Sequence, residues 1–256
     1  MVSNYTIIEN KQIPGLHIIM NDFREKYLLL RQIERRIYSN EEVAQLPVIK
    51  KNHPHYKEWQ IRKNSCVKLL NYLRQKGPSL NILEVGCGNG WLSAQLACIT
   101  NGEVLGIDLH VPDLEQANRV FGNITNLEFK KADLQHEVIP NKKFDIIIFA
   151  ASIQYFSSIQ KIMDLALHHL TLVGEIHVLD SIFYPQSKVS DAKQRAKVYF
   201  ESIGVPEMAS HYFHHCLKDL ESYQYRINRD PHSLKNNLSL VKSPFYWITV
   251  KKRYQE

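Results

Sequence analysis

Between residues 81 and 180 the chain alternates short, almost wholly apolar runs with longer stretches whose apolar residues recur every three or four positions. The apolar runs at 81–85, 103–108, 127–131, 144–150 and 175–180 read as buried strands. The stretches at 91–99, 112–121 and 157–170 read as helices, with Pro112 in a first turn and Gly122 just past an end. Strands joined through helices run parallel, so the pattern predicts an α/β fold with a doubly wound, mostly parallel sheet flanked by helices.

Helical periodicity also precedes this block. Phe23, Tyr27, Leu30, Ile33 and Ile37 predict an amphipathic helix over 21–39, with Asp22 placed to cap it. A second helix over 56–76 carries Trp59, Cys66, Leu69, Leu70 and Leu73 on one side and stops at Gly77-Pro78. The expected organisation is an N-terminal helical cap, 1–78, packed as one unit on a domain over 79–256. Past Asp180 the pattern predicts a helix over 187–203, a break at Gly204-Val205-Pro206 and a second helix to Leu220. That is a helical insertion before two last strands near 223–227 and 245–250, which bring the strand count to seven.

Composition narrows the class by exclusion. Cys66, Cys87, Cys98 and Cys216 form no short pair, so neither a zinc knuckle nor a disulfide framework is expected, and a reducing compartment fits. Residues 1–11 are polar where a signal peptide would be apolar, and no run approaches the roughly 18 apolar residues that span a membrane. A cytoplasmic protein without membrane contact is the expectation. The net charge of +6 comes from dispersed basic residues, which does not support a nucleic-acid surface. Oligomeric state is not fixed by these features.

The chemistry concentrates at Leu83-Glu84-Val85-Gly86-Cys87-Gly88-Asn89-Gly90, a strand running into a glycine turn and then a helix. Such a turn brings backbone N–H groups and a helix N-terminus up to a ligand. Asp108 ends the next strand, where a carboxylate can accept hydrogen bonds from both hydroxyls of a ribose. The spacing G-x-G-x-G, with Glu84 two residues ahead, differs from the G-x-G-x-x-G of nicotinamide enzymes. A nucleoside-containing ligand other than a dinucleotide is implied.

This first motif resembles that of the class I, seven-stranded, Rossmann-like S-adenosylmethionine-dependent methyltransferases of small-molecule type. Gly106-Ile107-Asp108 is similar to the family's ribose motif, and Lys131-Ala132-Asp133-Leu134 to its adenine-side acidic turn. The segments 143–149 and 174–180 resemble its fourth and fifth strands. The resemblance implies that S-adenosyl-L-methionine is the cofactor. It implies that Gly86, Gly88 and Gly90 form the loop near the methionine portion and that Glu84 organises its amino group. Asp108, with Leu109 beside it, would hold the ribose; Asp133 would meet the adenine amine, and Leu134 would offer a backbone N–H. Ala150 borders the same pocket, and Trp59 and Arg62 reach it from the helix ahead of the first strand.

Methyl transfer is an in-line displacement that depends on alignment and exclusion of water more than on acid-base groups. The acceptor side lies beyond the fourth and fifth strands, where Gln154, Tyr155 and Asp180 are expected to be exposed. Neither the Asn- or Asp-Pro-Pro-aromatic motif of base-amine methyltransferases nor the Pro-Cys of cytosine-C5 enzymes follows Phe149. A small-molecule acceptor is therefore favoured, with protein or RNA methylation, or a non-catalytic cofactor-binding role, as alternatives. In His211-Tyr212-Phe213-His214-His215 an imidazole, His214 or His215, is a candidate to remove an acceptor proton, and Tyr155 a candidate to touch the reacting group. Helical spacing would put His211 and His215 on one face, yet with no glutamate between them and no third ligand no metal is expected.

Overall fold

A computed structural model of the chain describes residues 23–135, 139 and 142–252. Three helices come first: α1 (Phe23–Ile33), α2 (Asn40–Gln45) and α3 (Tyr56–Arg74). Then strands and helices alternate as β1 (Ile82–Val85), α4 (Trp91–Ala97), β2 (Val104–Asp108), α5 (Val111–Phe121), β3 (Leu127–Lys131), β4 (Phe144–Ala150), α6 (Ile159–His169) and β5 (Leu170–Ser181). The remainder is β6 (Phe183–Tyr184), α7 (Val189–Ser202), β7 (His215–Cys216), β8 (Gln224–Arg229), α8 (Leu234–Asn237) and β9 (Tyr246–Lys251).

Seven strands form one sheet in the order β3-β2-β1-β4-β5-β9-β8, while β6 and β7 pair separately. β1 runs parallel to both β2 and β4, with Ile82 opposite Val104 on one side and Ile146 on the other. β9 lies antiparallel between β5 and β8. The period-two alternation of these strands decides which helices they meet. Ile82, Val104, Ile146 and Ile148 share one cluster with Trp59, Leu69 and Leu73 of α3 and Leu92 and Leu96 of α4. Their neighbours Leu83, Leu105, Ile147 and Phe149 share the other with Ile159, Ile162, Met163 and Ala166 of α6. Both faces are covered, as a parallel sheet requires. The strand order reverses between β1 and β4, which opens a crevice at their carboxyl ends.

Three helix expectations change. The first predicted helix stops at Ile33 because Arg35 adopts a left-handed φ of 55°. Its expected last anchor, Ile37, is exposed, while Tyr38 is buried instead. Residues 21 and 22, including the proposed Asp22 cap, lie outside the described residues. α2 was not anticipated, although Ser39 and Glu42 form a reciprocal capping box at its start. The helix expected to reach Leu220 is absent. Residues 206–211 form a 3-10 turn, and His215–Cys216 pair in parallel with Phe183–Tyr184. Gly204 at φ 79° and Pro206 break the helix. Phe213 N–H then donates to the Gln154 carbonyl at 2.7 Å, which pulls the chain down onto the sheet.

The insertion meets α1 across the carboxyl end of the sheet. Leu30 of α1 packs with Phe200, Val205 and Met208, and Tyr27, Tyr155 and Tyr212 border that cluster. Tyr199 Oη donates to Glu34 Oε1 at 2.5 Å at its edge. Together α1, α7 and the 206–211 turn roof the crevice.

Candidate active site

The glycine turn follows β1 with Gly86, Gly88 and Gly90 at φ 76°, 53° and 76°. A Cβ on Gly86 would lie 2.6 Å from that of Ser152, and one on Gly90 2.5 Å from the Phe129 ring. Ser152 is fixed in turn by donating its hydroxyl to the Val85 carbonyl at 2.7 Å. Only glycine fits these approaches.

Glu84 is 2% exposed, and Ser93 Oγ donates to its Oε2. Among the described residues no cation pairs with it. Burial raises its pKa, the Ser93 hydrogen bond opposes this and the nearby Asp108 charge adds to it, leaving the carboxyl pushed up to about 8. Asp108 accepts from the backbone N–H groups of Gly88 and His110, both at 2.8 Å, one on each oxygen. Burial raises its pKa while those two hydrogen bonds pull it down. The remaining lone pairs of Asp108 can still accept from a diol. Asp133 Oδ1 accepts from Gln135 N–H at 2.8 Å, which fixes the turn after β3.

These groups line one cavity of about 680 Å³. Glu84, Gly86, Gly88, Asp108, Leu109, Asp133, Leu134 and Ala150 all face it, and Trp59 and Arg62 reach it from α3. Trp59 Nε1 donates to Tyr38 Oη at 2.9 Å, and the Arg62 guanidinium lies 5.5 Å over the Trp59 ring. Arg62 is also paired with Glu58 at 2.9 Å, and Glu58 receives a bidentate grip from Arg36. Gly90 does not line the cavity. It is the left-handed N-cap of α4, turned towards Phe129 and Ala117.

The other half of the cavity lies beneath the roof, between Tyr27, Tyr155, Tyr184, Tyr199, Tyr212 and His214. Tyr155 meets Tyr27 and Tyr212 edge to face at 5.6 and 5.9 Å. His214 is 9% exposed, and its Nδ1 has no hydrogen-bond partner. Burial lowers its pKa, and Lys193, His215 and Arg195 lower it further, so the ring is neutral at pH 7.

His215 does not reach the cavity. Its Nε2 faces the Ile153 carbonyl at 3.2 Å inside the protein, because the chain here is a strand where a helix was expected. The expected shared face of His211 and His215 disappears for the same reason. Gln154 and Tyr155 are half-buried and Asp180 is buried, in place of the expected exposure. Among the described residues no group of three or more histidine, cysteine or acidic side chains could hold a metal.

The α7 face of the cavity was not read from the sequence. Ala192, Arg195, Ala196 and Tyr199 recur on α7 at spacings of three and four, a signal of a helix face that was available.

The glycine turn, an unpaired buried glutamate and two strand-end aspartates around one cavity fit S-adenosylmethionine, whose ammonium and diol match those acceptors. Residues 82–174 match the family profile described as "Methyltransferase domain". The chain is 32% identical over 97 residues to malonyl-[acyl-carrier protein] O-methyltransferase 1 of Ilyobacter polytropus, covering 38% of this chain and 36% of that protein. It is 24% identical to the histidine protein methyltransferase 1 homologue of Dictyostelium discoideum, covering 50% and 43%. The matches thus span less than half the length of these curated relatives. Magnesium protoporphyrin IX methyltransferase from Synechocystis PCC 6803, solved with bound S-adenosylhomocysteine, superposes with a TM-score of 0.56 at 16% identity over 86% of this chain and 94% of that one. Residues 82–174 thus carry the methyltransferase-domain profile, and the chain shares the doubly wound fold of that solved methyltransferase. No described helix is long and apolar enough to cross a membrane.

Proposed function

We propose that the protein transfers the methyl group of S-adenosylmethionine to a small-molecule acceptor held beneath the roof. The observation that carries this reading is Glu84, a deeply buried carboxylate with no cation partner among the described residues, beside a glycine turn that opens onto the crevice. Glu84 would receive the cofactor's ammonium, Gly86 and Gly88 the methionine portion, and Asp108 and Leu109 the ribose. Asp133 and Leu134 would meet the adenine, while Ala150, Trp59 and Arg62 complete the walls. When bound, the cofactor supplies an electrophilic methyl on a sulfonium.

The rest falls to the chain. The tyrosines of the roof exclude water and orient the acceptor. Tyr155 stays a neutral phenol because burial holds its pKa well above the ordinary value. The neutral His214 ring, which lines the cavity, would take a proton from the acceptor. A cleft of about 680 Å³ beneath the roof suits a small molecule, and the named relatives act on acceptors too diverse to choose one. Calorimetry with S-adenosylmethionine, followed by transfer of labelled methyl to a metabolite extract, tests the reading. Saturable binding and a labelled product are expected. Absence of binding at millimolar cofactor would overturn it, and binding without transfer to any fraction would leave a non-catalytic cofactor-binding protein.

A further inference from the structure

Two of the three described non-glycine residues in left-handed backbone sit side by side at the carboxyl ends of β4 and β5: Ala151 at φ 53° and Asp180 at φ 52°. Such a conformation is strained and persists where its surroundings fix it. Ala151 N–H donates to the Leu179 carbonyl at 2.9 Å. The Gln154 amide donates to the Ala151 carbonyl at 2.6 Å and accepts from Ser181 Oγ at 3.2 Å. This framework turns the chain at Asp180 so that the residue borders the cavity.

Asp180 is 8% exposed, and its Oδ1 accepts from Ser65 Oγ at 2.7 Å. Arg229 donates to that same hydroxyl at 3.4 Å and leaves its Nη2 buried and unpartnered. Asp180 Oδ2 accepts no hydrogen bond among the described residues, and none of their cations lies within ion-pair distance of it. Arg62 and Arg229 act on the carboxyl electrostatically from further away. Asp180 Oδ2 is thus a carboxylate oxygen without a protein donor on a residue that lines the cavity, where a ligand can supply one.

We propose that Asp180 is an acceptor-positioning residue whose Oδ2 receives a hydrogen bond from a hydroxyl or amine of the acceptor. The site then takes an acceptor whose methylated atom is that hydroxyl oxygen or amine nitrogen. The faces and edges of Tyr27, Tyr155 and Tyr212 meet the remainder of that molecule. This assignment rests on reading the cavity as a methyl-transfer site.

The product's chemistry and one variant test it. The full chain is incubated with a metabolite extract and methyl-labelled S-adenosylmethionine, and the labelled product is treated with alkali. Methyl esters release the label as methanol, whereas methyl ethers and methylamines keep it; cation exchange then separates the amine from the ether. Label retained on oxygen or nitrogen is expected. Label released as methanol, or found on carbon or sulfur, overturns the assignment while leaving the methyltransferase reading intact. Asp180→Asn keeps an oxygen for Ser65 and tolerates left-handed backbone. It should bind cofactor within twofold of the wild type by calorimetry while transfer to the purified acceptor falls at least tenfold, through KM more than kcat. Unchanged transfer overturns the role of Asp180. Cofactor binding with no labelled product from any fraction overturns both readings, and failure to bind cofactor overturns the underlying one.

Discussion

A carboxylate buried as deeply as Glu84 opposes folding unless a cation meets it. With its pKa pushed up to about 8, the carboxyl is largely protonated at pH 7 in the free protein. If the cofactor's ammonium takes the ionised form as proposed, binding at pH 7 should release a proton and affinity should fall as pH drops below about 8. Calorimetry in buffers of different ionisation heat measures that release. Glu84→Gln should abolish it and weaken binding by about 1.5–3 kcal/mol, the worth of a charged hydrogen bond. Without cofactor the sign reverses. A raised acid pKa stabilises the fold below the ordinary carboxylate range, and this stability is lost as pH rises through about 8. Thermal melts against pH should show that slope in the wild type and not in Glu84→Gln. Glu84 and Asp108 were legible because fixed offsets from the glycine turn place them. His214 and His215 were not separable, since adjacent residues diverge to cavity and core only once the local backbone is known.

At the scale of elements the glycine turn has two separate duties. Gly86 and Gly88 border the ligand space, whereas Gly90 starts α4 in left-handed backbone against Phe129. Gly90→Ala should therefore destabilise the fold by about 2–4 kcal/mol, from backbone strain plus overpacking. A lower denaturant midpoint at unchanged slope is the expected reading. The helix starts and stops that follow local chemistry, such as Pro112 in α5 and the glycine after α3, are where the sequence pattern puts them. The failures came where distant contacts outweigh local preference. The stretch from 206 to 216 has helical spacing, yet it is drawn flat by the Phe213 hydrogen bond to Gln154 and by β6. In β5 the chain turns extended at Leu170 as that residue pairs with Phe144.

For the whole molecule the roof is the feature with consequences. Leu30 fastens α1 to Phe200, Val205 and Met208, residues about 170 positions away along the chain. Leu30→Ala should remove about 2–5 kcal/mol of packing from that small cluster. The loss should appear as faster amide exchange in α1 and α7, with β1, β4 and β5 still protected, because the sheet has its own two cores. Equal acceleration throughout the sheet would show instead that roof and sheet open together.

The sequence alone determined the parallel sheet, the glycine turn and the acidic strand ends, because apolar runs, turn residues and short offsets along the chain dictate them. Those features alone implied a nucleoside-containing ligand, and the resemblance of the glycine turn to the methyltransferase motif implied S-adenosylmethionine. Tertiary structure decided which residues meet in the other half of the cavity. Tyr27 and Arg31 from α1, Asp180 from β5, Arg195 and Tyr199 from α7 and His214 after the turn converge only because strand order and the roof bring them together. No local pattern encodes such convergence, which depends on packing between segments remote in the chain.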